Sequence, residues 1–224
     1  MFSRQSLTVL RHRDARDLGI ALAGLILVGW GMGVLVTHAF AETMRNGVDV
    51  PVNRYFFHHR DPHLAALMRL VTVTGEEAVT LAVTLAVGAA WSRRRRNWLP
   101  FQTLAIAFGG GTVIAAAVKV AVGRGRPTGA PLLALSGLGF PSGHATVAAA
   151  LYGTWALVVA RGAIRPRLRA GSAAGLAALA LAVAFSRLYL GTHYLTDVLA
   201  GVILGGAWAG AVGAVAVRGR PPAT

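Results

Sequence analysis

Apolar positions gather into long uninterrupted runs. Leu18 to Phe40 is 23 residues without a charge, and about 20 apolar residues suffice for a helix to cross a bilayer. Similar runs recur at about 99–122, 144–160, 171–190 and 194–217. A further one lies within 64–91 but is interrupted by Glu76 and Glu77. Either one helix runs from Leu64 and buries both carboxylates, or 64–75 lies in the membrane interface and a short span follows. The second reading is favoured, because an unpaired carboxylate in hydrocarbon is costly. The pattern predicts an all-α fold: a polytopic membrane helical bundle of six transmembrane helices. The six-span domain would occupy 18–217, between tails at 1–17 and 218–224. Arg11, Arg13 and Arg16 before the first run, and Ala39-Phe40-Ala41 after it, imitate a cleaved leader. The run is longer than the roughly 7–15 residues of a leader's apolar core, so it reads as a retained span. Small residues in the runs, including Gly109-Gly110-Gly111, predict close helix packing.

Composition agrees: 55% of the 224 residues are hydrophobic and 13% charged, with mean hydropathy +0.58. The net charge of +14 would ordinarily point to nucleic acid. Here the basic residues sit in short clusters between apolar runs, as membrane orientation is encoded, and no soluble domain offers a basic face. No nucleic-acid partner is expected. Arg4, Arg11, Arg13 and Arg16, then Arg93 to Arg96, then Arg161, Arg165, Arg167 and Arg169, and finally Arg218 and Arg220 fall on one side of the six-span layout. The positive-inside rule assigns that side, with both termini, to the cytoplasm of a cell inner (plasma) membrane. The connections 41–63, 123–143 and 187–193 then face outward. The middle one, from Gly123 through Pro127 and Pro131 to Pro141, is dense in turn formers. The absence of cysteine excludes disulfides and thiolate metal sites.

Several polar residues on the outward side have no topological reason. Lys119 lies one turn inside the end of the third span, and Arg126-Pro127 follows in the loop. Ser142-Gly143-His144 opens the fourth span, Arg187 ends the fifth, and His193 and Asp197 open the sixth after a Gly191 bend. His193 and Asp197, four apart, share a helix face. A carboxylate near one imidazole nitrogen fixes the tautomer and frees the other nitrogen to attack. An ordinary surface His–Asp pair has the same spacing. At the mouth of a membrane helix beside Arg187, function is the better reading. Lys119, Arg126 and Arg187 match phosphate oxygens, although Lys119 alone would also suit a snorkelling lysine. Arg124 lacks the following proline and receives only a weak supporting role. Ser142 and Gly143 at a helix N-terminus offer free N–H groups to an anion, a role compatible with a simple Ser142 cap. His144, on the first turn, suits proton donation near neutral pH.

Together, Lys119-x6-Arg126-Pro127, Pro141-Ser142-Gly143-His144 and Ser186-Arg187-x5-His193-x3-Asp197 resemble the three signature motifs of the type 2 phosphatidic acid phosphatase superfamily. That superfamily also holds the soluble vanadium haloperoxidases. The resemblance implies that Lys119, Arg126, Ser142, Gly143 and Arg187 bind the phosphate. His193 would be the nucleophile, forming a phosphohistidine, Asp197 its orienting partner, and His144 the acid and base. No metal and no cofactor is required on this reading. The implied activity is hydrolysis of a membrane lipid phosphate at the outer face of the bilayer. The Ala, Gly and Arg bias fits a GC-rich bacterial genome, in which undecaprenyl diphosphate is the first substrate expected and phosphatidylglycerophosphate or phosphatidic acid the next. Phosphotransfer to a second lipid or a sugar stays open. An anionic-lipid transporter would need charges near the midplane, whereas these cluster at one face. Thr74-Gly75-Glu76-Glu77 departs from the family's usual Gly-Ser-type turn near the second span. His58, His59 and His63 lack companion ligands and read as solvated, and Tyr55-Phe56-Phe57 reads as an interfacial segment.

Overall fold

The computed structural model describes residues 12–128, 132–133, 136–162 and 165–218. Arg4, Arg11, Pro131 and Arg220 lie outside the described residues. Among the described residues, nine α-helices carry the fold: α1 (His12–Val34), α2 (Ala41–Met44), α3 (Val50–His58), α4 (Pro62–Val73), α5 (Glu77–Arg95), α6 (Leu99–Val122), α7 (Gly143–Ala160), α8 (Pro166–Tyr189) and α9 (Leu195–Arg218). Two π-helical turns, Leu35–Ala39 and Arg45–Asp49, flank α2. No strand occurs among the described residues, only an isolated bridge between Gly125 and Leu138.

Among the described residues, five helical stretches are long and apolar enough to span a bilayer: His12–Ala39, Leu99–Val122, Gly143–Ala160, Pro166–Tyr189 and Leu195–Ala216. The pair α4 and α5, bent by 54° at its break, supplies a sixth when counted as one span. The break falls at Thr74-Gly75-Glu76, and Glu76 and Glu77 are exposed rather than buried. One helix ends there and the next starts with Glu76 as its cap residue, so no unbroken helix buries both carboxylates. The helix of the fifth run starts at Pro166, earlier than the apolar run at 171. Proline suits a first turn, and the arginines that hid this turn from the apolar pattern, Arg167 and Arg169, can lie at the membrane surface.

Helix α7 is the hub, packed against α5, α6, α8 and α9, with the whole stretch Ala145–Tyr152 buried. Glycines let α9 press against it. A side chain at Gly201 would meet the Ser142 carbonyl and Ala145, and one at Gly205 would strike the Thr146 carbonyl. Of the Gly109–Gly111 run, Gly110 lies under the Trp208 ring and Gly111 against Ala150, while Gly109 faces open space. Arg218 reaches Asp17 at 3.3 Å, which brings the end of α9 to the start of α1. Both ends of the described chain therefore share one face, and the arginine clusters at the end of α5 and around the α7–α8 turn belong to it by alternation of the spans. The opposite face carries 41–61, 123–128, 136–142 and 190–194, and there the polar residues converge.

Candidate active site

The turn between α8 and α9 carries His193. Gly191 adopts φ +71°, a left-handed conformation that favours glycine, and Thr192 donates to the Arg187 carbonyl through both N–H (3.1 Å) and Oγ1 (3.0 Å). The sharp turn thus ties the end of α8 to the start of α9. His193 is 1% exposed and Asp197 fully buried. Nδ1 of His193 lies 3.6 Å from Oδ2 of Asp197, and Nε2 lies 3.0 Å from an Arg126 Nη1. A guanidinium can only donate, so Nε2 is the lone-pair nitrogen and the proton sits on Nδ1, facing the carboxylate. Burial pushes the His193 pKa down to about 4, with Asp197 partly opposing that shift. The ring is neutral near pH 7 and Nε2 carries an unprotonated lone pair.

Arg126 also donates to the Thr192 carbonyl at 3.1 Å. Burial lowers its pKa, although Asp197 supports the charge. Lys119, near the end of α6, donates to the carbonyls of Leu138 and Pro141, each at 3.0 Å. It pins the loop that leads into α7 and retains one of its three N–H donors. Helix α7 starts at Gly143, after Pro141, with Ser142 in extended backbone at the cap position. Its side chain makes no cap bond, so capping does not occupy the hydroxyl. The Ser142 N–H donates to the Asp197 carbonyl at 3.0 Å, joining the α7 mouth to α9. A side chain built at Gly143 would meet no atom within 4 Å; the space in front of the helix N-terminus is open. His144 stands on the first turn, with its ring beside Gly75, where an added methyl would come to 3.3 Å. Arg187, 2% exposed, donates to the Thr72 hydroxyl at 2.7 Å.

Three of these residues hold buried polar atoms without a hydrogen-bond partner, Arg126 Nε, Ser142 Oγ and Arg187 Nε, whereas His193 Nδ1 faces the Asp197 carboxylate at 3.6 Å. Buried polar groups are normally satisfied, so their gathering around one helix mouth marks a place shaped for a ligand. The cationic donors and a helix N-terminus have the chemistry to hold an anion.

Residues 100–218 match the family model of the PAP2 superfamily. The chain belongs to the PAP2 superfamily. It is 32% identical over 149 residues to phosphatidylglycerophosphatase B of Bacillus subtilis, covering 65% of this chain and 72% of that protein. It is 35% identical over 156 residues to decaprenylphosphoryl-5-phosphoribose phosphatase of Mycobacterium tuberculosis, covering 64% and 76%. The crystal structure of a transmembrane PAP2 type phosphatidylglycerolphosphate phosphatase from Bacillus subtilis is similar with TM-score 0.76 and 26% identity, over 88% of this chain and 96% of that one. Aquifex aeolicus LpxE shares the fold, with TM-score 0.58 at 21% identity over 76% and 94% of the two chains.

Within this PAP2 chain, sequence reasoning missed a brace behind the histidine. Arg124, given a minor role above, is its centre. Its guanidinium donates to Asp197 Oδ1, Thr196 Oγ1 and Asp49 Oδ2, each at 2.7 Å, and lies 4.7 Å over the Tyr194 ring. Burial opposes the charge on Arg124, but Asp197 and Asp49 outweigh it and raise its pKa. Asp49, fully buried, also accepts from the Thr196 N–H (3.0 Å) and hydroxyl (2.7 Å). Nothing in the local sequence around Asp49 announces this role; an acidic residue in a segment otherwise explained by the interface was the only available signal. Phe56 likewise departs from the interfacial reading of its segment: it turns inward onto Phe185 and Tyr189, while Tyr55 and Phe57 stay exposed. His59 stacks on Tyr55 and bonds its carbonyl. Among the described residues, His58, His59 and His63 form no group suited to a metal ion.

Proposed function

We propose that this protein is an integral membrane lipid phosphatase acting through a covalent histidine intermediate. In the first step the His193 Nε2 lone pair forms a bond to phosphorus as the ester P–O bond breaks. His144 gives its proton to the departing oxygen. In the second step water attacks the phosphohistidine, His144 takes a proton from that water, and the P–N bond breaks to return neutral His193 and free phosphate. Arg126 exchanges its bond to Nε2 for a phosphate oxygen as the nitrogen engages phosphorus. Lys119, Arg126 and Arg187, with Ser142 and the Gly143 N–H, carry the oxygen charge of the transferring group. Donors already held in place for that charge can supply the larger part of catalysis, and on this reading the reaction requires no metal.

The observation that carries the proposal is the contact of 3.0 Å between Arg126 and the unprotonated Nε2, beside Ser142 and Arg187 atoms that lack partners. A nucleophile and the donors for its target are thereby side by side. We assign the site to the extracytoplasmic face, because the arginine clusters lie at the opposite end of the bundle. A lipid phosphate meets such a site with its tails still in hydrocarbon. Undecaprenyl diphosphate, phosphatidylglycerophosphate and phosphatidic acid are the substrates to assay.

The test is rapid quenching of purified protein with a ³²P-labelled lipid phosphate. Wild type should yield labelled protein that survives alkali and loses its label in acid, as phosphohistidine does. His193→Ala should form none and lose phosphate release by at least about a thousandfold. Full turnover by His193→Ala would refute the mechanism.

A further inference from the structure

Beside the phosphate cluster lies a cavity of about 380 Å³, within the roughly 300–1,000 Å³ typical of small-molecule sites. Its walls come from the segment 45–58 and from the loop and turn that carry the catalytic cluster. Pro127 directly follows Arg126 and Tyr194 directly follows His193, so the two spaces share a wall. Arg45 and Arg54 line it and are exposed. Neither has a hydrogen-bond or ion-pair partner among the described residues. His58 lies one helical turn beyond Arg54, on the same face of α3. No carboxylate lines the cavity among the described residues; the nearby Asp49 is committed to Arg124 and Thr196. The cavity also contains Asn53, whose amide oxygen is buried without a partner and can accept from a hydroxyl.

Membrane orientation does not explain these arginines, because they sit at the end of the bundle opposite the cytoplasm-type clusters. We propose that this cavity is a second anion subsite, in which Arg45 and Arg54 hold a non-scissile phosphate of the lipid headgroup and Asn53 a hydroxyl of the group linking the two phosphates. The proposal rests on the phosphatase reading and sharpens it. A lone phosphate, as in phosphatidic acid, engages only the inner cluster. The adjacent phosphates of a diphosphate leave no linking hydroxyl for Asn53. A headgroup with two phosphates separated by a short polyol would occupy both spaces.

The experiment compares full-length wild type with Arg45→Gln/Arg54→Gln, a pair of exposed substitutions that leaves a polar side chain and removes the charged guanidinium. Phosphate release is measured in detergent from phosphatidylglycerophosphate and from phosphatidic acid. The expected result is a rise in KM of about tenfold for the first lipid, the size of one lost charge-assisted contact. Its kcat should stay within about twofold, and phosphatidic acid turnover should be unchanged. Equal losses on both lipids, no loss on either, or a wild type inactive on phosphatidylglycerophosphate alone would overturn the subsite. A second arm repeats the phosphatidic acid assay in nanodiscs of phosphatidylcholine with and without phosphatidylglycerol. A difference between wild type and variant that appears only with phosphatidylglycerol would assign the arginines to bilayer headgroups and overturn the substrate assignment. If wild type releases phosphate from no lipid tested, the phosphatase reading itself fails, whatever the variant does.

Discussion

Asp197 meets four groups from three parts of the chain: Arg124 on Oδ1, the Tyr194 N–H on Oδ2, the His193 ring at 3.6 Å, and the Ser142 N–H on its carbonyl. Its carboxylate is thus held from behind by Arg124, and Arg124 by Asp49. Removing the outer carboxylate with Asp49→Ala should let Asp197 and the histidine drift. Displacement of about an ångström can cost a hundredfold in rate, so kcat should fall ten- to hundredfold while KM changes little. Thermal unfolding should also shift down, since breaking a buried pair costs about 3–5 kcal/mol. A lowered Tm with unaltered kcat would reduce the brace to a structural role. Arg124→Lys should behave similarly, because one ammonium cannot fork between two carboxylates. The histidine makes a separate prediction. Its pKa of about 4 lies below the ordinary value of 6.5, so Nε2, the nucleophile in the proposed mechanism, stays unprotonated as pH falls through 6. The acid limb of kcat/KM due to His193 should appear near pH 4, and an acid limb of phosphoenzyme formation near the ordinary 6.5 would contradict it.

Among the elements, the α7–α9 contact decides whether the site exists. Ser142 and His144 ride on α7 and His193 and Asp197 at the head of α9, so their spacing is the spacing of two helices. Gly201 and Gly205 permit that approach. Gly205→Val would drive its side chain into the Thr146 carbonyl and should destabilise by about 1–3 kcal/mol, with activity falling at temperatures where the protein remains folded. Unchanged turnover would show that the helices can part without harm to the site. The small-residue character of these runs was readable from sequence, but which glycines touch which helix was not; Gly109 belongs to the same run and faces nothing. The interrupted second run was also readable. Two adjacent carboxylates in an apolar stretch forced a choice, and the bend of 54° with both side chains exposed follows from the same solvation cost.

On the scale of the whole molecule, the contact between Arg218 and Asp17 puts both described ends on one face, as an even number of crossings requires. Reporter fusions after Arg96 and after Thr128 should therefore report opposite sides of the membrane. Agreement between them would remove the outward-facing site from the proposal. The span pattern, the arginine asymmetry and the three motifs were all legible in the chain because each is local: a run length, a charge cluster, a spacing within one turn or loop. Arg126 and His193 could be matched to a phosphate site for the same reason. Contacts between distant segments carry no local periodicity or spacing, and so Asp49, 75 residues from Arg124, stayed invisible, as did Thr72 under Arg187. The sequence by itself determined a bundle of apolar helices with a polar cluster at one end, since hydrocarbon solvation dictates both. Only the tertiary structure decided which nitrogen of His193 is free, what steadies Asp197, and that a cavity lined by Arg45 and Arg54 adjoins the Arg126 and His193 segments. Those depend on how helices pack and on where long side chains meet.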